Sequence, residues 1–417
     1  MFESFCPRIR IAVVSAMVIA ASLLAAAASA QTTWLDRLDE SLSVQSANGF
    51  FRSDLSGLLD LEGYFIDQRP PGLIYGNQDL FNPRLSLFLD TRIGPHVYSL
   101  VQARFDRGFD PGNHRGGRAG LDEYLLRYTP FADARLNLQA GRFATVVGNW
   151  VKRHDSWNNP FINAPVPYEN VTILTDHAAP ASPTQFLNRR SVPDRKEIWL
   201  STIWGPSYAT GASVFGSIER FDYAAEIKNS SLSSRHHAWN PVHVGWSDPT
   251  VSARLGYRPG AAWNAGASFS YGTYFLPEAR TSLPSGKRLS DFNQITFGCD
   301  LSYAWRHWQF WGEIFATRFQ VPNVGDADTA AYYLEAKYKL SPRVFTSFRW
   351  NQQFFGKVND GRGGEQTWDH DLWRIETALG YRFDRHLQGK LQYSYSHQQG
   401  AFQQGEQLVA AQVTLKF

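Results

Sequence analysis

One pattern limits this chain more than any other. From about Asp54 to the last residue, apolar and polar positions alternate with a period of two. In the final segment Val409, Ala411, Val413, Leu415 and Phe417 fall on one side, and Ala410, Gln412, Thr414 and Lys416 on the other. Upstream, Leu85, Leu87 and Leu89 oppose Arg84, Ser86, Asp90 and Arg92, while Trp373, Ile375, Leu379 and Tyr381 oppose Arg374, Glu376 and Arg382. Successive side chains of a strand point to opposite faces, so each segment reads as a strand with one apolar and one polar or charged face. Helical spacing is confined to a short stretch, Trp34 to Leu38. The chain reads as all-β.

A soluble sandwich and a membrane barrel both alternate, so other features must separate them. Arg8 and Arg10 precede an apolar stretch that ends in Ala28-Ser29-Ala30, the pattern of a cleaved secretory signal over residues 1–30. No comparable apolar run follows, which excludes a helical membrane protein. A formal net charge of +3 is too even for a dedicated nucleic-acid binder, and 15% aromatic residues are too many for disorder. Beyond the signal Cys299 is the only thiol, so packing or sheet closure must hold the exported chain together.

Tight turns at Gly94-Pro95-His96, Thr129-Pro130-Phe131, Gly205-Pro206-Ser207, Arg258-Pro259-Gly260, Leu340-Ser341-Pro342 and Phe383-Asp384-Arg385 alternate with long polar connections such as 106–120, 276–290 and 355–370. Apolar runs end in rings, among them Phe105, Tyr128, Tyr257, Tyr303, Trp350, Tyr381, Tyr395 and Phe417. Short turns on one side, long loops on the other and aromatic girdles at both edges define a transmembrane antiparallel β-barrel. Seventeen alternating segments can be marked, starting near 54, 83, 96, 121, 133, 196, 208, 219, 251, 262, 292, 307, 330, 343, 371, 386 and 407. Such barrels have an even strand number. Either Asn240–Trp246 adds an eighteenth strand, the reading preferred on its alternation, or the segments near 208 and 219 merge to give sixteen. Residues 31–53 form a short periplasmic segment, too small for a plug domain, and 54–417 the barrel. Its size leaves an aqueous lumen.

Strand phase places Arg84, Asp90, Arg92, Arg104, Arg127, Arg135, Arg254, Glu335, Lys337, Arg349, Arg374 and Glu376 on the inner, pore-lining face. Opposed rows of both signs put a transverse field across a pore and also tie neighbouring strands together; the arginine bias over 83–142 hints at anion preference. The longest gap between strands, 148–194, is read as a loop folded inward to constrict the pore, with Lys152, Arg153, His154, Asp155, Glu169 and Asp176 as its charged members.

Resemblance adds to this. Leu138-Gln139-Ala140-Gly141-Arg142-Phe143, Trp150-Val151, Asn158-Asn159-Pro160-Phe161, Ala224-Ala225-Glu226-Ile227-Lys228-Asn229 and Arg254-Leu255-Gly256-Tyr257, with the terminal Phe417, resemble a Gram-negative outer-membrane porin. Among porins the chain is similar to the phosphate-selective and alginate-export types, which share a strand-then-Gly-Arg entry to a long loop. The resemblance implies insertion by the barrel assembly machinery through the C-terminal aromatic.

Catalytic constellations are weak. His154-Asp155-Ser156 are adjacent and point in different directions, so no relay follows. Arg235-His236-His237 with His243 lacks metal-ligand spacing, and Asp122-Glu123 reads as solvated near a strand end. Cys299 shares the phase of Phe297 and Leu301 and should face lipid. No enzyme, cofactor, metal or nucleic acid is expected. The expected function is a water-filled outer-membrane channel for passive diffusion of small hydrophilic solutes or ions, its partners being outer-membrane lipid and those solutes. Monomer and trimer remain open. The alternative is a channel specific for a sugar or polysaccharide, with Tyr98, Trp311 and Phe345 as stacking platforms. A barrel enzyme acting on lipid ranks below both.

Overall fold

The computed structural model describes residues 34–66, 79–106, 117–192, 198–235, 246–400 and 405–417. Within them the alternation resolves into sixteen long strands: β1 (Phe51–Ile66), β2 (Asp79–Ile93), β3 (Val97–Asp106), β4 (Arg118–Tyr128), β5 (Asn137–Phe143), β6 (Ala209–Ile218), β7 (Phe221–Lys228), β8 (Thr250–Tyr257), β9 (Trp263–Thr273), β10 (Asn293–Trp305), β11 (Trp308–Val321), β12 (Gly325–Lys339), β13 (Val344–Phe355), β14 (Leu372–Arg382), β15 (Leu387–Gln398) and β16 (Gly405–Lys416). Each pairs antiparallel with its neighbours in sequence, and β1 closes on β16 through the register Leu58↔Lys416 to Ile66↔Leu408. Gly57 and the terminal Phe417 exchange backbone hydrogen bonds at the seam. Closure satisfies the ladder all the way round, which a sheet in lipid requires. No helix among the described residues is long and apolar enough to cross a membrane.

The count is sixteen, not eighteen. The segments near 208 and 219 stay separate as β6 and β7, joined by Glu219-Arg220. The surplus segment is the one near 196. Trp199–Ser201 is a three-residue strand inside the long connection between β5 and β6, paired with Val171–Thr175. All three of its residues are buried, so it has no face to offer lipid. Of the candidate strand Asn240–Trp246, all but Trp246 lies outside the described residues, as does the 1–30 signal.

Short turns gather at one rim, but Gly205-Pro206-Ser207 is not among them, because it closes the long connection just before β6. At the opposite rim β11 and β12 are joined by only Pro322-Asn323-Val324, which breaks the short–long alternation. At the short-turn rim helix α1 (Trp34–Ser41) and the strand Ser43–Gln45 precede β1, the latter pairing with Arg52–Asp54. Asp36 ties α1 to the β14–β15 turn by bonding Arg385 and His386. Two further short helices, Val166–Glu169 and Pro183–Asn188, escaped the period-based reading. The second has a local signal: Ser182 caps Gln185 N–H at 3.2 Å with Pro183 in the first turn.

The outer face carries two aromatic belts. Toward the short turns Phe221 meets Tyr257, Trp263 stacks on Tyr303 at 4.1 Å, and Trp308 contacts Tyr338 at 4.6 Å. Toward the long loops Trp373 lies between Trp350 and Tyr395 at 5.6 and 5.5 Å. On β14, Trp373 and Tyr381 mark the two belts. At about 3.3 Å per residue they stand about 26 Å apart along the strand, or about 20 Å along the axis at a tilt of about 40°, a little less than the apolar band of about 25 Å that such barrels present to lipid. Cys299 is exposed on this face between Phe297 and Leu301.

Candidate functional site: a divided lumen

The described parts of the long connection, 144–192 and 198–208, turn into the barrel instead of covering it. Two carboxylates from different parts of the wall fix its entry. Glu226 on β7 accepts from the Thr145 hydroxyl at 2.7 Å and Val146 N–H at 3.2 Å. Glu313 on β11 accepts from the Trp150 N–H at 2.7 Å, the Tyr168 hydroxyl at 2.5 Å and the Asn149 N–H. Gly148 lies between these anchors at φ +77°, where a Cβ would stand 2.2 Å from the Tyr168 hydroxyl. Only glycine adopts that conformation without strain, and the close approach leaves no room for a side chain.

Beyond this entry the loop lies against β12–β15. Its backbone carbonyls meet basic side chains that project from the wall. Arg349 donates to the carbonyls of Asn163 and Ala164 at 3.1 Å each. Lys390 donates to Ser156, Asn159 and Phe161 at 2.7, 3.0 and 3.3 Å. Arg374 bonds Ala164 O at 2.6 Å and pairs with Glu169. Arg153 pairs with Glu335 at 2.6 Å, and Arg349 bridges Glu376 at 2.5 Å and Glu335 at 3.4 Å. An apolar patch, with Val147, Trp150, Tyr168, Phe315 and Tyr333 among its members, seals the same contact. Glu335, Arg349, Arg374 and Glu376 therefore face inward as their phase requires, yet each is buried beneath the loop. They anchor the loop and do not face open water.

The other half of the lumen stays open. A cavity of about 560 Å³ lies between the loop and the wall of β1–β4. Arg84 and Arg104 border it, each held between two carboxylates: Asp60 and Glu62 at 3.0 and 2.8 Å, Asp106 and Asp122 at 3.3 and 3.0 Å. Asp122 is thus buried and paired, not solvated. A bulge at Gln102/Ala103 turns both Asp122 and Glu123 inward, and Glu123 accepts the Ala144 N–H at 2.8 Å. From the loop side Lys152, His154 and Asp155 border the cavity. His154 is fully engaged, with Val151 O at 2.6 Å and the Tyr208 hydroxyl at 2.7 Å, which leaves no nitrogen for a relay to Ser156. Asp155 caps the Trp157 and Asn158 N–H groups at 3.0 and 2.9 Å. Lys152 has no carboxylate within 4 Å among the described residues; its confinement in the lumen, with Arg254 adding repulsion, holds its ammonium below the usual lysine pKa.

The remaining expected members scatter. Arg92 is exposed near the short-turn mouth, opposite Arg52. Asp90 accepts from the Tyr98 hydroxyl. Arg127 lies between the rings of Tyr98 and Phe215 at 5.0 and 4.9 Å and bonds Gln139. Lys337 covers Phe345 at 4.1 Å, and Arg153 covers Trp311 at 4.3 Å. The three rings expected as stacking platforms therefore already carry a cation. Arg254 pairs with Asp300 at 2.6 Å. Asp176 is buried against Arg235 at 2.7 Å, away from the cavity. Arg135 is displaced from the inner face. It sits exposed in the turn before β5, over Phe131 at 4.1 Å, because the strand starts only at Asn137. Of the histidine group, His236, His237 and His243 lie outside the described residues, and among the described residues no three His, Cys, Asp or Glu are grouped to hold a metal.

One set of lining residues was overlooked. Leu58, Phe88 and Leu100 border the cavity although they occupy inward positions, which such barrels make polar. Each is an apolar residue in a polar phase, as between Ser86 and Asp90 or between Tyr98 and Gln102, and that signal is present in the sequence.

A closed sixteen-strand barrel with one connection folded into its lumen defines the class: the fold is that of the outer-membrane porins. No family model matches the sequence, and no curated protein matches it. Solved structures do match in fold. The outer-membrane protein OmpT of Vibrio cholerae aligns with a TM-score of 0.56 at 8% identity, over 90% of this chain and 99% of that one. The anion-selective porin of Comamonas acidovorans aligns with a TM-score of 0.56 at 11% identity, over 88% and 100%. The outer-membrane channel DcaP of Acinetobacter baumannii gives 0.54 at 10% identity, over 90% and 100%.

Proposed function

We propose that the protein is a channel of the Gram-negative outer membrane, exported by a signal removed after Ala30, through which small hydrophilic solutes or ions diffuse passively. The observation that carries this reading is the cavity of about 560 Å³ left beside a loop that is itself fastened to the opposite wall. A barrel meant only as a scaffold would fill its interior, whereas sixteen strands enclose more space than this loop occupies. The sugar-specific alternative is weaker, since Tyr98, Trp311 and Phe345 are already covered by Arg127, Arg153 and Lys337.

The test is single-channel conductance of the refolded mature protein in a planar bilayer under a salt gradient. Discrete steps with a small reversal potential are expected. Silence from a barrel that migrates as folded on an unheated gel overturns the reading.

A further inference from the structure

We propose that two adjacent short turns, β10–β11 and β12–β13, form a docking site for the phosphate headgroup of an anionic phospholipid in the periplasmic leaflet. The site lies on the outside of the barrel and does not depend on whether the lumen conducts. Its floor is a continuous slab of outward rings across β9–β12. Trp263 stacks on Tyr303 at 4.1 Å, Tyr303 lies near-parallel to Phe310 at 6.4 Å, Phe310 to Trp308 at 5.5 Å, and Trp308 meets Tyr338 at 4.6 Å. Rings of this kind settle at headgroup depth, and the short turns of such barrels face the periplasm. The turns above the slab therefore stand at the height of the lipid phosphates.

Those turns carry cations and no acid. Arg306 lies over the exposed ring of Trp305 at 5.1 Å, which sets its guanidinium on the lipid side. Beside it His307 packs its ring edge-on against Tyr338, and the His307 carbonyl accepts from Lys339 N–H at 2.9 Å, so the two turns touch. Lys339 and Arg343 are exposed in the second turn. No carboxylate occurs between Asp300 and Glu313 or between Glu335 and Asp360 in the chain. Asp300, Glu313 and Glu335 are themselves buried inside the barrel. Arg306, Lys339 and Arg343 consequently have no carboxylate within 4 Å among the described residues.

Several other exposed cations are spent within the protein. At the opposite end of β11, Arg318 is held by Asp326 and Asp328 at 3.0 and 2.7 Å. Along the short-turn rim Arg258 pairs with Asp222 at 2.6 Å and Arg385 with Asp36, and the turns β4–β5 and β6–β7 contain Asp133 and Glu219. A cation at the membrane surface with no protein partner draws an anion from the lipid, and each Arg or Lys adds to the pull. An arginine laid over a ring keeps its N–H edge free, and that edge suits phosphate oxygens. The acyl chains of the same lipid would lie along the exposed Ile314, Leu334 and Phe348 below the rings, contacts that a free phosphate cannot make. The occupant that uses both parts is a lipid.

The test is native mass spectrometry of the refolded mature protein, released from detergent with equal amounts of phosphatidylglycerol and phosphatidylcholine of the same acyl chains. The complex with phosphatidylglycerol should exceed that with phosphatidylcholine by about fivefold or more. Arg306→Asn with Arg343→Asn should bring the two lipids level; asparagine suits position 306, which is at φ +52°. Arg52→Asn with Arg92→Asn removes as many charges from the same rim, away from the slab, and should keep the preference. Equal binding of the two lipids by the unaltered barrel overturns the inference. Equal loss of preference in both double variants does so too, by assigning it to net charge. Displacement of phosphatidylglycerol by inorganic phosphate would make the turns an ion site and overturn the lipid reading as well.

Discussion

The two halves of the lumen are written in the same period-two code and differ in what satisfies their charges. On β12–β15 the inward residues Glu335, Arg349, Arg374, Glu376 and Lys390 are buried; Arg349 pairs with Glu335 and Glu376 within the wall, and the loop supplies the acceptors that the surplus cations still need, chiefly its backbone carbonyls to Arg349, Arg374 and Lys390. On β1–β4 the inward residues Asp60, Glu62, Arg84, Arg104 and Asp122 satisfy one another across adjacent strands. A wall whose charges are paired within the sheet can face a cavity. A wall that carries surplus donors must find acceptors elsewhere, and the inward loop provides them. The cation-rich wall is therefore the loop's dock, and the self-paired wall is the pore's.

The largest effect that would break this comparison is removal of the divider. Excising Trp150–Thr202 and rejoining the ends through a short Gly-Ser linker should raise single-channel conductance several-fold, because both halves would then carry current. An unchanged conductance would show that the loop does not set the constriction.

A smaller effect separates the two walls directly. Arg349 is fully buried and holds two carboxylates and two carbonyls, so Arg349→Met leaves uncompensated charge in a closed space and should cost about 3–5 kcal/mol. Arg84 is 13% exposed at the cavity edge, and the buried Asp60 and Glu62 that it leaves behind keep hydrogen bonds from Thr414 and Gln412, so Arg84→Met should cost less, about 2–3 kcal/mol. Thermal unfolding of the two variants in detergent, followed by the gel shift on heating, checks the order. Equal midpoints would mean that the walls do not differ as described.

Much of this was legible in the sequence, and the failures have physical causes. Strand phase put Arg84, Arg104, Arg254, Arg349, Arg374 and Glu376 on the inside, because the pleat leaves no other choice. It could not tell which of them the loop would cover, since that depends on where the carbonyls of Ser156 to Ala164 come to rest far along the chain. Arg135 was misplaced through a turn one notch longer than its proline signal suggests. Ala134 is at φ +54°, and its carbonyl accepts from the Asn137 side chain at 3.0 Å, which delays the strand. Trp199–Ser201 imitated a barrel strand because three residues are too few to reveal whether one face or both are buried. The apolar stripe was different in kind. Leu58, Phe88, Leu100 and Leu125 each break the polar phase of their own strand, and four such breaks on neighbouring strands are a readable sign of an apolar strip inside a wet barrel.

The smallest expected effect concerns Lys152, which has no carboxylate within 4 Å among the described residues. Lys152 has its ammonium destabilised by its confinement in the lumen and by Arg254, so it sheds its proton at a lower pH than an ordinary lysine, whose value is about 10.4. The sign follows from the charge lost. As pH rises toward that range, Lys152 becomes neutral while Asp60, Glu62, Asp106 and Asp122 stay ionised, so the open half turns more negative. The reversal potential under a potassium chloride gradient should therefore move toward cation preference, and the move should begin below the pH at which lysines in general titrate. In Lys152→Gln the channel should already sit at the alkaline value at neutral pH and lose that early step, whereas Arg349→Met should keep it, since Arg349 faces the dock and not the pore. A wild-type shift that survives in Lys152→Gln would assign the titration to another group and remove Lys152 from the open half's electrostatics.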